Sequence, residues 1–156
     1  MKKYLLYFIS IPILLFSCKR ETDPVFKQSP DERINEALQK YQSTLTGATN
    51  GWNASLVTSI GITFSFYFRF NDSNRVFMYS DFDSTTAGVI KESSYRLKAL
   101  QQPSLLFDTY SYIHMLADPD AAVNGGFYGL GLASDFEFSI DSVTDDRIVL
   151  LSLIHI

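Results

Sequence analysis

The stretch Thr63-Phe64-Ser65-Phe66-Tyr67-Phe68-Arg69-Phe70 decides the fold of this 156-residue chain, because phenylalanine occupies every second position. Successive side chains of a β-strand point to opposite faces, so this alternation places four Phe rings on one face of one strand. The polar cluster Asn71-Asp72-Ser73-Asn74 predicts a turn, and Arg75–Ser80 returns as a second strand. The stretch therefore predicts a β-hairpin with an aromatic face.

Other segments of the chain also have the composition of strands. They are Trp52–Val57, Tyr95–Leu100, Leu105–Met115, Asp135–Val143 and Arg147–Leu150. Short polar turns separate most of them, which favours an antiparallel meander that curls into a barrel or a sandwich. The aromatic content of 15% also favours β structure. We expect a mainly β domain with one N-terminal helix, an α+β fold.

The helix is predicted from Ser29-Pro30-Asp31-Glu32, in which Ser29 can cap, Pro30 suits the first helical position and Glu32 completes a capping box. Apolar residues then recur at helical spacing up to Gly47, namely Ile34, Ala37, Leu38, Tyr41 and Leu45. We expect this stripe to pack on the sheet of the same domain. Contact with a membrane or a partner is the alternative.

The N-terminus has the pattern of an export signal. Lys2 and Lys3 precede the apolar run Tyr4–Phe16, which is too short to span a bilayer, and the single cysteine, Cys18, follows Ser17. This pattern resembles a bacterial lipobox, so we expect residues 1–17 to be removed and Cys18 to carry covalent lipid. An ordinary signal peptide with an incidental cysteine is the alternative.

Residues 18–28 are predicted to form a flexible spacer between this anchor and a single domain over residues 29–150. The segment Lys19-Arg20-Glu21-Thr22-Asp23 loosely resembles the export signals of Bacteroidota lipoproteins. We therefore expect an outer-membrane protein that faces the cell exterior, with a periplasm-facing anchor as the alternative.

The six C-terminal residues, 151–156, read Leu-Ser-Leu-Ile-His-Ile, which is the translation of CTG TCT CTT ATA CAC ATC. Those nucleotides match the mosaic-end adapter of transposase-based sequencing libraries. We interpret residues 151–156 as an artefact and expect the natural protein to continue beyond Leu150. The sheet would then be incomplete at its C-terminal edge.

The charge of the chain argues against a nucleic-acid partner. Loss of Lys2 and Lys3 lowers the 13 basic residues to 11 against 17 acidic ones, so the net charge falls from −4 to −6. An acidic surface repels phosphate backbones, and no basic cluster compensates for it.

Catalytic residues and cofactors are not predicted. With Cys18 lipidated and His114 the sole histidine before residue 151, Cys/His zinc sites and Cys–His dyads are excluded. A Ser-His-Asp triad would need His114. Asp108 is too close to His114 along the same predicted strand to indicate such a triad. We interpret His114, beside Tyr110 and Tyr112, as a structural or binding-surface residue.

Carboxylates supply the remaining candidates. Asp81, Asp83, Thr85 and Glu92 stand at relative positions 1, 3, 5 and 12, the spacing of calcium ligands in a helix–loop–helix site. Thr86 occupies the position that needs glycine, so a solvated hairpin loop is the simpler interpretation. A glycoside hydrolase would need two facing acids, and Asp108, Asp135 and Glu137 are candidates that spacing alone does not select.

Two serines lie in short patterns that resemble Bacteroidota O-glycosylation sites. They are Ser84 in Asp83-Ser84-Thr85 and Ser142 in Asp141-Ser142-Val143. Both are hypotheses.

Several stretches together carry a family resemblance. They are Pro30–Ile34, Asn50–Trp52, Phe66–Asn71, Tyr79–Phe82, Lys91–Arg96, Leu105–His114 and Ala117–Asp120. They resemble the domain-of-unknown-function 4302 family of Bacteroidota lipoproteins over nearly the whole of Pro30–Leu150. The resemblance implies no activity. It implies a longer natural chain, and association with TonB-dependent uptake systems of the SusC/SusD type.

Three functions therefore compete. The first is a noncatalytic surface lipoprotein that serves an uptake complex as an accessory or ligand-binding module, with a glycan as another candidate partner. The second is a lipocalin-like carrier whose apolar ligand would lie among Phe64, Phe66 and Phe68, although these rings fit a solid core as well. The third is a carboxylate-based hydrolase of glycans.

Overall fold

Residues 27–99 and 102–153 are described by the structure, a computed structural model. The predicted signal peptide, Cys18 and most of the predicted spacer lie outside these residues. Within them, helix α1 (Pro30–Gly47) precedes seven strands: β1 (Trp52–Val57), β2 (Thr63–Phe70), β3 (Arg75–Ser80), β4 (Lys91–Ala99), β5 (Pro103–Phe107), β6 (Glu137–Val143) and β7 (Ile148–Ser152). Three short helices lie in the connections: α2 (Ser84–Gly88), α3 (Tyr112–Met115) and α4 (Ala121–Asn124).

The strands form one antiparallel sheet in chain order, β1 to β7, curled into a half-barrel. This confirms the predicted mainly β fold with an N-terminal helix. The β2–β3 hairpin has the expected form, with Phe68 opposite Met78 and Phe70 opposite Val76. At its turn the Asn71 side chain accepts hydrogen bonds from the backbone N–H groups of Ser73 and Arg75, both at 3.0 Å.

The aromatic face of β2 lies in the core, as its alternation predicted. Phe66, Phe68 and Phe70 are buried, and Phe64 is half-buried against them. Phe66 stacks on Phe68 with ring centroids 5.3 Å apart, and Phe68 contacts Phe107 of β5 at 5.2 Å. The second of these pairs joins β2 to β5, two strands that are distant in sequence, and so helps to hold the curl of the sheet.

Helix α1 begins with the predicted capping box. The Ser29 hydroxyl accepts from the backbone N–H of Glu32 at 3.2 Å, and the Glu32 carboxylate accepts from the backbone N–H of Ser29 at 2.8 Å. The apolar stripe packs on the sheet through its C-terminal half, because Leu45 is buried while Ile34 is exposed. Gln42 donates to the Tyr95 hydroxyl at 2.7 Å, and the Trp52 indole donates to the Leu45 carbonyl at 3.0 Å.

The predicted strand Leu105–Met115 is wrong beyond Phe107. The chain leaves the sheet there and turns into α3, with Ser111 as its N-cap. Tyr112, Ile113 and Leu116 are all buried, and their spacing is that of a helix rather than of an alternating strand. The three apolar positions therefore fit one face of a helical turn, and this overrides the strand-like composition.

Other element boundaries shift by a few residues. Strand β4 begins at Lys91 rather than Tyr95, and β6 begins at Glu137 rather than Asp135. Strand β7 extends through Leu151 and Ser152, two of the residues that we interpret from the sequence as an artefact. Ser152 lies opposite Phe138.

Candidate functional site

An apolar cleft of about 450 Å³ opens where the half-barrel does not close. Its floor consists of buried rings from three strands, namely Phe66, Phe68, Phe70, Phe107 and Phe138. Strands β1 and β7 line its sides, with Trp52, Ala54 and Leu56 on one side and Ile148 and Leu150 on the other. The cleft therefore has the size and lining of sites that hold apolar ligands.

The two sides of the cleft are also the outer strands of the sheet. Within the described residues β1 pairs with β2 and β7 pairs with β6, so each of them leaves one backbone edge outside the sheet pairing. Each such edge presents N–H and C=O groups that can pair with a further extended segment. The cleft thus combines an apolar floor with hydrogen-bonding edges on both sides.

Alternation along β1 decides which of its side chains are covered. Trp52, Ala54 and Leu56 are half-buried, whereas Asn53, Ser55 and Val57 between them are exposed. Trp52 is the single tryptophan of the chain, and its indole is held by the Leu45 carbonyl of α1. It is therefore a natural fluorescent reporter of whatever enters the cleft.

His114 lies in α3 rather than on a strand, and both ring nitrogens have partners. Nδ1 accepts from the Ser111 backbone N–H at 3.2 Å, and Nε2 lies 3.0 Å from the Phe107 carbonyl. The ring also stacks between Phe136, with centroids 4.7 Å apart, and Tyr110, at 5.7 Å. Burial lowers the pKa of His114 below its ordinary value of 6.5. This arrangement holds the neutral ring as a link between the end of β5 and α3.

The contact between Ser111 and His114 does not have the form of a catalytic dyad. Their Oγ and Nδ1 atoms lie 3.2 Å apart, but Ser111 is only 1% exposed and caps α3. The other ring nitrogen faces a backbone carbonyl, whereas a catalytic histidine is oriented by a carboxylate. Asp108, the carboxylate considered for such a triad, pairs instead with Arg96 at 2.5 Å.

The carboxylates considered for hydrolysis are each engaged separately. Asp108 accepts from Ser94 and Arg96, and the Ser94 hydrogen bond in particular lowers the pKa of Asp108. A general acid needs the opposite shift. Glu137 pairs with Lys98 at 2.9 Å and accepts from Ser104 at 3.1 Å. Asp135 is buried and accepts from Ser152 of β7.

The four calcium candidates are used locally. Asp81 accepts from the Ser65 backbone at 2.8 Å, Asp83 caps α2 through the Thr86 N–H at 2.7 Å, and Glu92 pairs with Arg75 at 2.7 Å. Thr85 lies in α2, in a connection that we had expected to be a plain hairpin loop. Across residues 27–99 and 102–153, no group of three or more His, Cys, Asp or Glu side chains is placed to hold a metal ion.

Both candidate glycosylation serines are exposed. Ser84 is the first residue of α2, and Ser142 lies in β6 beside the register shift that follows Ile140. Accessibility is needed for modification, and both positions meet this condition.

The structure also brings together a polar cluster that the sequence did not predict. Asp118 accepts from the Tyr110 hydroxyl at 3.1 Å and from the Asn124 amide at 2.8 Å, and Asn124 lies 3.3 Å from the Tyr110 hydroxyl. Hydrogen bonds from the Asp120 backbone, and then from Tyr110 and Asn124, lower the pKa of Asp118. The three residues come from a loop, a turn and α4, so no regular spacing in the sequence predicts that they meet. The Asp118-Pro119-Asp120 turn is the one sequence feature that could have indicated part of this cluster.

A glycine positions this cluster. Gly131 has φ +60°, and a Cβ there would lie 2.5 Å from the backbone oxygen of Asp118. The glycine-rich turn can therefore lie directly on residues 116–119, where the Gly129 N–H donates to Pro119 at 2.8 Å and the Leu132 N–H to Leu116 at 2.9 Å.

In the residues that the structure describes, no helix has both the length and the apolar character needed to cross a membrane.

Comparison with protein-family models matches residues 22–152 to the domain of unknown function DUF4302. The chain therefore belongs to this family, as its resemblance predicted. Comparison with curated proteins finds no match. Comparison with solved structures finds none either.

Proposed function

We propose that this chain is a noncatalytic lipoprotein of the outer membrane, anchored at the cell surface through lipid on Cys18. It serves as an accessory or ligand-binding module of a TonB-dependent, SusC/SusD-like uptake system. The observation that carries the binding role is the apolar cleft between β1 and β7. Its floor of Phe rings supplies affinity for apolar groups, since burial of apolar surface stabilises a complex by about 25 cal/mol per Å².

The bordering strand edges favour an extended polypeptide segment of a partner as the occupant. Such a segment can pair through backbone hydrogen bonds with the edge of β1 that lies outside the sheet pairing of the described residues. Its alternate side chains would then face Phe66, Phe68 and the other rings of the floor. Backbone pairing supplies affinity, and the rings select segments with apolar residues at every second position.

A carrier of an apolar small molecule is the second candidate, and the volume of the cleft favours it. About 450 Å³ lies within the range of small-molecule sites. The opening between β1 and β7 distinguishes it from a closed lipocalin-like barrel, because a ligand there would stay in contact with water along one side.

A glycan hydrolase has less support. Asp108 and Glu137 are each paired with a cation, and the pKa of Asp108 is lowered rather than raised. Neither group has the features of the protonated acid that begins glycoside cleavage.

Trp52 fluorescence tests the cleft directly. A Cys18→Ala chain without its signal peptide is titrated with a seven-residue peptide that alternates valine and threonine, and separately with oleate. The peptide should shift the emission of Trp52, and Ala54→Phe, which places a ring in the cleft, should weaken binding at least tenfold. Ser65→Phe is the matched control, because Ser65 is exposed on the outer face of β2 and is not among the residues that line the cleft.

The outcomes separate the candidates. Binding of oleate alone, lost in Ala54→Phe, would favour the carrier. Binding of neither probe would contradict a ligand role for the cleft.

The anchor is tested independently of the cleft. Metabolic labelling with a palmitate analogue should mark the protein in its host, and Cys18→Ala should abolish the label. Labelling that persists in Cys18→Ala would contradict lipidation at this residue, whatever the cleft binds.

A further inference from the structure

The segment between β5 and β6 exposes the ring of Tyr110, which contacts with neighbouring side chains hold in place. Tyr110 is 56% exposed, yet the His114 ring stacks on it at 5.7 Å. The His114 ring is itself fixed by Ser111 and Phe107 and backed by Phe136 at 4.7 Å. The Tyr110 hydroxyl is held between Asp118 and Asn124.

This arrangement leaves a flat apolar surface open. The His114 ring packs against the Tyr110 ring with 30° between their planes, and more than half of Tyr110 remains exposed. A ring that is fixed before binding loses little conformational freedom when a ligand stacks on it.

Acceptors of hydrogen bonds lie at the hydroxyl end of the same ring. Asp118 accepts three hydrogen bonds from Tyr110, Asn124 and the Asp120 backbone, which leaves one of its roughly four acceptor positions. The lowered pKa of Asp118 keeps this group ionised at neutral pH. The amide nitrogen of Asn124 donates to Tyr110 and Asp118, so the side-chain oxygen of Asn124 is the atom that can accept from a ligand.

A flat apolar face beside charged and neutral acceptors matches the chemistry of a sugar ring. One side of a pyranose presents C–H groups, and its rim presents hydroxyls that donate hydrogen bonds. We propose that Tyr110, Asp118 and Asn124 form a binding site for a neutral saccharide. The sugar ring stacks on Tyr110, and its hydroxyls donate to Asp118 and Asn124. An acidic sugar is disfavoured, because its carboxylate would face that of Asp118.

This site is separate from the cleft. Tyr110, Asp118 and Asn124 are not among the residues that line the cleft, and no residue of β1 or β7 belongs to the site. A result at one site therefore leaves the other untouched.

The experiment uses isothermal titration with maltohexaose, cellohexaose and mannohexaose on the chain with Cys18→Ala. At least one of these neutral probes should bind. Tyr110→Ala should weaken that binding at least tenfold, because the stacking ring is lost. Tyr110→Phe should weaken it less, since the ring remains and only the hydroxyl that orients Asp118 is removed. Asn124→Ala should also weaken it severalfold.

Tyr128→Ala is the matched control. Tyr128 is 78% exposed in the neighbouring glycine-rich turn, but no ring stacks on it and no hydrogen bond holds it within the described residues. Its removal should leave binding unchanged if a backed and polar-flanked ring is what the sugar needs. Circular dichroism and thermal unfolding establish that each variant is folded.

Three results would overturn the proposal. The first is no binding of any of the three oligosaccharides to the folded protein. The second is binding that Tyr110→Ala and Asn124→Ala leave unchanged while both variants stay folded. The third is equal loss in Tyr110→Ala and Tyr128→Ala, which would indicate general adhesion to exposed rings.

Discussion

Inward-facing and outward-facing residues alternate along the strands on both sides of the half-barrel, but the inward-facing residues are buried to different depths on the two sides. On the closed side, under α1, the Tyr95 ring is fully buried and contacts the Phe70 ring, with centroids 4.9 Å apart. On the open side, Leu56 and Leu150 point toward the same core from β1 and β7 but remain half-buried along the cleft.

The difference lies in what covers each strand. Strands β2 to β6 have a neighbour on both edges, and α1 covers the closed side, so apolar residues there lose their contact with water. Strands β1 and β7 each have one neighbour, so their inward residues face the cleft. Alternation therefore decides which way a side chain points, and neighbouring strands decide how deeply it is buried.

The largest expected effect contrasts one core residue with one cleft residue. Met78→Ala should lower the free energy of unfolding by about 2–5 kcal/mol, because Met78 is fully buried in β3 and is not among the residues that line the cleft. Leu150→Ala should cost less, roughly 1–2 kcal/mol, because Leu150 already borders open space. Urea unfolding measures both changes, and equal losses would contradict the division into closed and open sides.

A smaller effect tests the polar link on the closed side. Tyr95→Phe removes a hydroxyl that accepts from Gln42 at 2.7 Å and donates to the Asn71 carbonyl at 2.9 Å. Loss of these bonds should lower the free energy of unfolding by about 1–3 kcal/mol. Tyr79→Phe is the control, because Tyr79 lies on the outer face of the sheet and its hydroxyl has no hydrogen-bond partner among the described residues. A cost in Tyr79→Phe as large as in Tyr95→Phe would show that the link between α1 and the sheet contributes little.

The smallest effect concerns pH and the segment that leaves the sheet after β5. Since burial lowers the pKa of His114 in the folded state, the unfolded chain takes up this proton first. The stability of the folded protein should therefore fall as the pH drops below about 6.5, by at most about 1.4 kcal/mol per pH unit for a single group. The pKa values of Asp108 and Asp118 are lowered from their ordinary 3.8, so these two groups change the stability of the protein only at more acidic pH than His114 does.

Comparison of the natural chain with His114→Gln between pH 7.5 and 5 isolates this contribution. The variant should show a weaker pH dependence, although it is less stable at pH 7.5 because the contacts to Ser111 and Phe107 are altered. His155 is present in both proteins, so its titration cancels in the difference. An identical pH dependence would contradict a buried, neutral His114.

Much of the first half of the domain follows from local rules. The capping box at Ser29, the turn at Asn71 and the alternation in β2 are each satisfied within a few residues, so their patterns are visible in the chain. Between Phe107 and Glu137 such patterns fail. Aromatic and β-branched residues favour strands, so the sequence predicts a strand at Tyr112 and Ile113. The packing of Ile113 and Leu116 in the core instead makes this segment helical.

The candidate sites divide in the same way. The sequence indicated the Phe rings of β2, but the cleft exists because β1 and β7 lie on opposite sides of one opening, which depends on the curl of the whole sheet. The spacing of Asp81, Asp83, Thr85 and Glu92 suggested ligands, but hydrogen bonds to Ser65, Thr86 and Arg75 engage three of them elsewhere.

The sequence by itself determined the mainly β class, the N-terminal helix and the inward face of β2, because each depends on spacing along the chain. It also determined the family, through the resemblance of whole stretches of the chain to that family. Tertiary structure alone decided the opening between β1 and β7, the engagement of the carboxylates and the cluster of Tyr110, Asp118 and Asn124. These features join residues that are far apart in the chain or lie in irregular loops. Their contacts depend on how the sheet curls and how the segment after β5 folds back, and no local periodicity encodes either.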